Sequence, residues 1–151
     1  MSLSDWLASR WIVTHETSRN EIADLFAVVQ RDLDDAQVPR LSDDWRLGIT
    51  YNAALQLATL ALAAEGYRPS RECAHERAIL SLRFTIGADV ASVDVLDRVR
   101  RKRNQINCEL AGSASTAEAD ELLTLVTALR EQVLTWLNAH HPALAPRGDR
   151  E

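Results

Sequence analysis

The chain has 151 residues, 46% of them hydrophobic and 26% charged, with only five Gly and four Pro. That is enough for one domain with a real core, and the scarcity of turn-formers points to helices. A net charge of −5 argues against a general nucleic-acid coat, and two cysteines are too few for a disulfide framework. The first residues lack the basic start and apolar stretch of a secretory leader, and the apolar run at 53–64 is too short for a membrane span, so a reducing cytoplasm with no membrane contact is expected.

The N-terminal residues 1–14, with Trp6 and Trp11, read as a short helix or docking arm. Ser18 with Glu21 reads as a capping box opening a helix that carries Ile22, Leu25, Phe26, Val29 and Leu33 on one face. Ser42-Asp43-Asp44 caps the next helix, which is rich in Ala and Leu around most of its circumference and should be the central one. Gly66 is its natural stop.

A shorter helix is expected from Pro69-Ser70, carrying His75, Ile79 and Leu82 and broken by Gly87. Ser92 is the expected cap of a helix running to Gly112. Ser115 with Glu118 is a second capping box, and the helix it opens has Leu122, Val126, Leu129, Val133 and Leu137 as its stripe. His140-His141-Pro142 ends it, and 142–151 is expected as a disordered tail. The expected fold is therefore all-α: an up-and-down bundle of four core helices with short extra helices, one domain over 15–141.

The segment from Arg98 to Arg103 concentrates positive charge, since Arg98, Arg100, Arg101, Lys102 and Arg103 are basic. It reads either as a solvated helix face or as a local binding site. Leu96, Val99, Arg103, Ile106 and Leu110 keep the spacing of a buried helix stripe, so Arg103 falls inside an apolar seam. A guanidinium there needs an acidic group, a subunit interface or a phosphate. Asn104 adjoins it, and Asn107 stands four residues on from Arg103. A guanidinium beside an amide can hold a phosphodiester through charge-assisted hydrogen bonds.

Cys73, His75 and Cys108 have no metal-ligand spacing, so no metal is expected. There is no Gly-rich phosphate loop and no nucleophile elbow around a serine. Arg71 and His75, four apart, read either as an anion contact with a proton donor or as ordinary residues near a helix start.

Arg103-Asn104-Gln105-Ile106-Asn107-Cys108 resembles the signature of the HEPN superfamily (higher eukaryotes and prokaryotes nucleotide-binding): an Arg, a polar residue, a few variable positions, then a His or Tyr. Trp45-Arg46, Tyr51-Asn52-Ala53-Ala54-Leu55-Gln56, Gly66-Tyr67-Arg68-Pro69-Ser70-Arg71 and His75 come in an order and spacing similar to one prokaryotic branch. The resemblance covers about 42–137, most of the chain. It implies a helical bundle, often a homodimer whose two motifs share a cleft, and in many members a metal-independent endoribonuclease of toxin–antitoxin or phage-defence modules. Some members pair with a nucleotidyltransferase antitoxin. It makes Arg103 the phosphate ligand and Asn104 its polar helper, with no cofactor. Arg98, Arg100, Arg101, Lys102 and Asn107 are the implied nucleic-acid contacts.

This chain departs from the signature at Cys108, which stands in the His position. A thiol is a poorer hydrogen-bond donor than imidazole. Losing a general acid or base typically costs about a hundred- to ten-thousand-fold in rate. Three expectations follow: RNA or nucleotide binding with weak or absent nuclease activity, an active nuclease with a relocated proton donor such as His75, or a non-catalytic partner of a nucleotidyltransferase or another protein.

Overall fold

The structure is a computed structural model. It describes the backbone of 1–108 and 114–147 and the side chains of 1–103 and 114–147. The fold is an all-α helical bundle with one small antiparallel ribbon. In chain order the elements are α1 (Leu3–Ala8), β1 (Ile12–Thr14), α2 (Arg19–Asp35), α3 (Asp43–Ala64), β2 (Tyr67–Pro69), α4 (Ala74–Ser81), α5 (Val90–Cys108) and α6 (Thr116–His140).

Helix α3 is the hub, packing against α2, α4, α5 and α6. Leu47, Tyr51, Leu57, Leu60 and Leu62 along it are essentially inaccessible. Burying each such side chain is worth about 1.5–3 kcal/mol. This helix is long and apolar enough to cross a membrane on length and composition alone, unlike the shorter run expected from sequence, and 72% of its apolar window is buried in the bundle. Ser42 Oγ accepts from Trp45 N (3.2 Å) at its start. Glu65 caps its end, and Gly66 turns the chain away at φ +97°, a conformation that glycine adopts without a Cβ clash.

The last helix presents Leu122, Val126, Leu129, Val133 and Leu137 to the core, as their spacing requires. The Ser115–Glu118 capping box closes both ways. At Ser18 only half of the expected box forms. Its hydroxyl accepts from Glu21 N (3.1 Å), while the Glu21 carboxylate turns to Thr17 and His15.

Other boundaries move. The ribbon pairs Ile12 with Pro69, Val13 with Arg68 and Thr14 with Tyr67, and Ser70 N donates to Trp11 O (2.9 Å). Those residues are therefore unavailable to a helix starting at Pro69-Ser70, and α4 begins at Ala74 after Cys73 in the left-handed region. Helix α5 is capped by the Asp89 carboxylate, which accepts from Ser92 N (3.0 Å), rather than by Ser92. The expected extension of α5 to Gly112 lies outside the described residues.

The N-terminal segment joins the core. Trp6 is buried with Ile12 and Leu62, edge-on to Trp11 and Phe84. At the other end His141 Nε2 pairs with Glu65 (2.5 Å), Ala145 is buried and Leu144 packs on the core, so 142–147 lies against the bundle; the remainder of the expected tail, 148–151, lies outside the described residues.

Candidate functional site: the Arg103 cavity

Four of the five basic side chains on α5 are matched within the molecule. Arg100 pairs with Asp97 (2.9 Å) and stands 3.9 Å from Glu76. Lys102 donates to both Glu118 oxygens (2.7 and 2.8 Å). The exposed Arg98 and Arg101 have looser contacts, 3.9 Å to Glu121 and 3.7 Å to Asp97. Contacts of that kind are worth about 0–1 kcal/mol, so a phosphate can displace them.

Arg103 differs. Among the described residues no carboxylate pairs with it, and its guanidinium lies 5.6 Å from the centre of the Tyr51 ring. The stripe expectation explains the position: Leu96 and Val99 are buried, and Arg103, next in the series, is partly exposed. Gly48 of α3 faces it, and a Cβ there would stand 3.8 Å from Arg103 Nε, an ordinary contact.

Arg103 forms part of the wall of a cavity of about 420 Å³. That is within the range of small-molecule sites. Helix α3 contributes Trp45, Gly48 and Asn52, which share a face by helical spacing, and α2 contributes Asp32. Asp32 is buried and accepts from Asn52 Nδ2 (2.7 Å) and from Arg31 Nη2 (3.0 Å). Asp44, also in the wall, accepts from Ala114 N (3.1 Å). Beside it, Arg46 bridges Asp43 and Asp120 and Thr116 Oγ1 donates to Asp43, so the starts of α3 and α6 are tied together next to the cavity.

His75 is exposed near the start of α4 and is not part of the cavity wall. Partial desolvation of its ring, followed by the charges of Arg103 and Arg100, holds its imidazole below the usual range. The two arginines are therefore within electrostatic reach of it. Arg71 precedes α4, so the expected shared helix face of Arg71 and His75 does not form. Asn104, Asn107 and Cys108 lie on α5 by backbone, and their side chains fall outside the described residues. Among the described residues no three His, Cys, Asp or Glu side chains gather as a metal-binding group.

Sequence reasoning singled out Arg103 and His75 but missed Asp32, Asn52, Trp45 and Gly48 as parts of one cavity. The signals were present. Asp32 is three residues beyond Val29, on the apolar side of α2, and Gly48 interrupts a helix interior where glycine costs about 1 kcal/mol relative to alanine. Comparison with protein-family models, characterised proteins and solved structures finds no match to this chain.

Proposed function

We propose that this chain is a HEPN-like protein that binds RNA through Arg103, with weak or absent nuclease activity, as part of a toxin–antitoxin or phage-defence module. The observation that carries the reading is the Arg103 guanidinium, partly exposed at a cavity and paired with no carboxylate among the described residues. A phosphate supplies the missing counter-charge through charge-assisted hydrogen bonds. Arg98 and Arg101, exposed and loosely held, lie on the same helix and add phosphate contacts along a strand. In the homodimer this reading expects, a second α5 brings its own Arg103 to a shared cleft in the cytoplasm, and a nucleotidyltransferase antitoxin is the expected partner.

Binding of a mixed tRNA and mRNA pool in EDTA, wild type against Arg103→Ala, tests it. A hydrogen bond to a charged group is worth about 1.5–3 kcal/mol, so the variant should bind about ten- to a hundredfold more weakly. Equal binding by both proteins, or none by either, sinks the reading and moves the weight to a purely structural partner role.

A cleaving alternative gains one specific support, His75. Partial burial, then the charges of Arg103 and Arg100, lower its pKa and so favour the neutral imidazole, the form that accepts a proton from an attacking ribose hydroxyl. Metal-free cleavage in the same assay, lost in both His75→Ala and Arg103→Ala, would favour this alternative.

A further inference from the structure

A second basic surface lies outside the Arg103 cavity, on the ribbon and α4. Ser70 ties the strand ends together: its amide donates to Trp11 O (2.9 Å) and its hydroxyl to Arg10 O. Arg10 is thereby held against the segment that carries Arg68 and Arg71. Arg68 is paired with Val13, and the alternation that buries Ile12 turns both outward. The Arg77 guanidinium of α4 lies 4.4 Å from the centre of the Trp11 ring. Arg10, Arg68 and Arg71 are exposed, and Arg77 is half-buried.

None of these four arginines pairs with a carboxylate among the described residues. The chain has 22 acidic residues against 17 Lys and Arg, yet its carboxylates are spent elsewhere, on Arg46, Arg98, Arg100, Arg101 and Lys102 among others. Glu72 is the single carboxylate between Arg68 and His75, and Glu76 stands 3.9 Å from Arg100. Like charges gathered on one surface repel, and a chain of phosphates relieves that repulsion while matching the fork of each guanidinium.

The surface is continuous with the α5 arginines. Helix α4 packs on both α5 and β2. Arg100 reaches Glu76, the residue before Arg77, and the charges of Arg103 and Arg100 act on His75 two residues before it. A lipid surface is the competing polyanion. The exposed large apolar side chains among the described residues are Met1, Val38, Trp45 and Val90, none of them on the ribbon or α4, so the patch has nothing to insert into a bilayer.

We propose that the ribbon and α4 bind the backbone of a single RNA strand as it continues from Arg103, with Arg10, Arg68 and Arg71 as phosphate contacts beside Arg77. This rests on the reading of Arg103 as a phosphate ligand.

The test is fluorescence anisotropy of the full chain with labelled single-stranded RNAs of about 4 and about 16 nucleotides, over a range of salt concentrations. The longer strand should bind more tightly. Each lost phosphate contact removes about 0.7 from the log–log salt slope, so Arg68→Ala with Arg71→Ala should flatten the longer strand's slope by about 1.4 and weaken it about tenfold or more. The shorter strand should bind as before. Arg68→Lys with Arg71→Lys should keep the slope. Arg77 is left in place because it stacks on Trp11. A double-alanine protein that melts like wild type and binds the longer strand with unchanged affinity and slope overturns the surface, and the proposed function stands if Arg103→Ala still weakens binding. Longer-strand binding that needs Arg68 and Arg71 but not Arg103 does the reverse. Polyglutamate competing as well as RNA would assign the patch to an acidic protein, and phosphatidylserine vesicles bound in place of RNA would assign it to a membrane; either overturns the proposal.

Discussion

The Arg103 guanidinium lies 5.6 Å from the centre of the Tyr51 ring, and the Tyr51 hydroxyl is buried with no hydrogen-bond partner among the described residues. Burial, against the opposing pull of Arg100 and Arg103, pushes that hydroxyl up to about 12. The ring is therefore a neutral aromatic support for a cation, and its polar atom contributes nothing visible to the packing. Tyr51→Phe should be neutral or stabilising by about 1 kcal/mol, because an unpaired buried hydroxyl costs roughly 1–3 kcal/mol. Tyr51→Ala should cost about 3–5 kcal/mol, as large aromatic truncations do. Urea unfolding separates the two, and RNA affinity should survive Tyr51→Phe. A Phe variant that loses RNA affinity or cleavage while folding normally would give the hydroxyl a chemical role.

Gly48 makes a sharper test of the cavity. A Cβ at this position meets Arg103 Nε at 3.8 Å, an ordinary contact. Gly48→Ala should therefore leave Arg103 in place and stabilise the protein by about 0.4–1 kcal/mol through reduced chain entropy. Gly48→Leu extends into the cavity against Arg103 and should weaken RNA binding by about tenfold, the loss expected for one displaced charged hydrogen bond. If thermal melting shows both variants folded and both bind RNA equally, the cavity is not where RNA sits.

The bundle was legible where one physical rule acted alone. Ser42 and Gly66 bracket α3, and the stripe from Leu122 to Leu137 predicts the buried face of α6. The ribbon was not legible: Ile12–Thr14 and Tyr67–Pro69 are too short for alternation to show, and their pairing is non-local. Arg103 stood out because its charge interrupts a run of apolar positions. Asp32 gives the same signal on α2, but Leu33 beside it completes the stripe and hides it. Grouping Asp32, Asn52 and Arg103 takes three helices, and no spacing along one of them reports that.

His75 senses the charge on Arg103. Desolvation first, then Arg103 and Arg100, lowers its pKa. Arg103→Ala should move the His75 titration upward, part of the way to its unperturbed position, and RNA phosphate bound at Arg103 should do the same. NMR titration of the His75 ring reads both. Because the folded-state pKa lies below the unfolded one, the unfolded chain takes up the proton first as pH falls. The folded state thus loses stability below about pH 6.5, the unfolded value, and Arg103→Ala should lessen that loss. An unchanged His75 titration in the variant would remove Arg103 from its environment.

Lys102 and Glu118 connect α5 to the start of α6. The hydrogen bond from Lys102 is the leading cause that holds the Glu118 carboxyl below its usual range, with the Ser115 backbone amide next. Its folded-state pKa is depressed, so its contribution is present above the unfolded carboxylate pKa and lost as pH falls through the folded value. Glu118→Gln keeps a capping-box side chain and removes only the charge. With both partners partly exposed, the variant should lose about 0.2–1 kcal/mol at pH 7. The deficit should shrink to nothing as acid protonates the wild-type carboxyl. Denaturant unfolding of both proteins across the acid range checks the sign: a deficit that persists where Glu118 is protonated would mean that the lost interaction is the cap and not the ion pair.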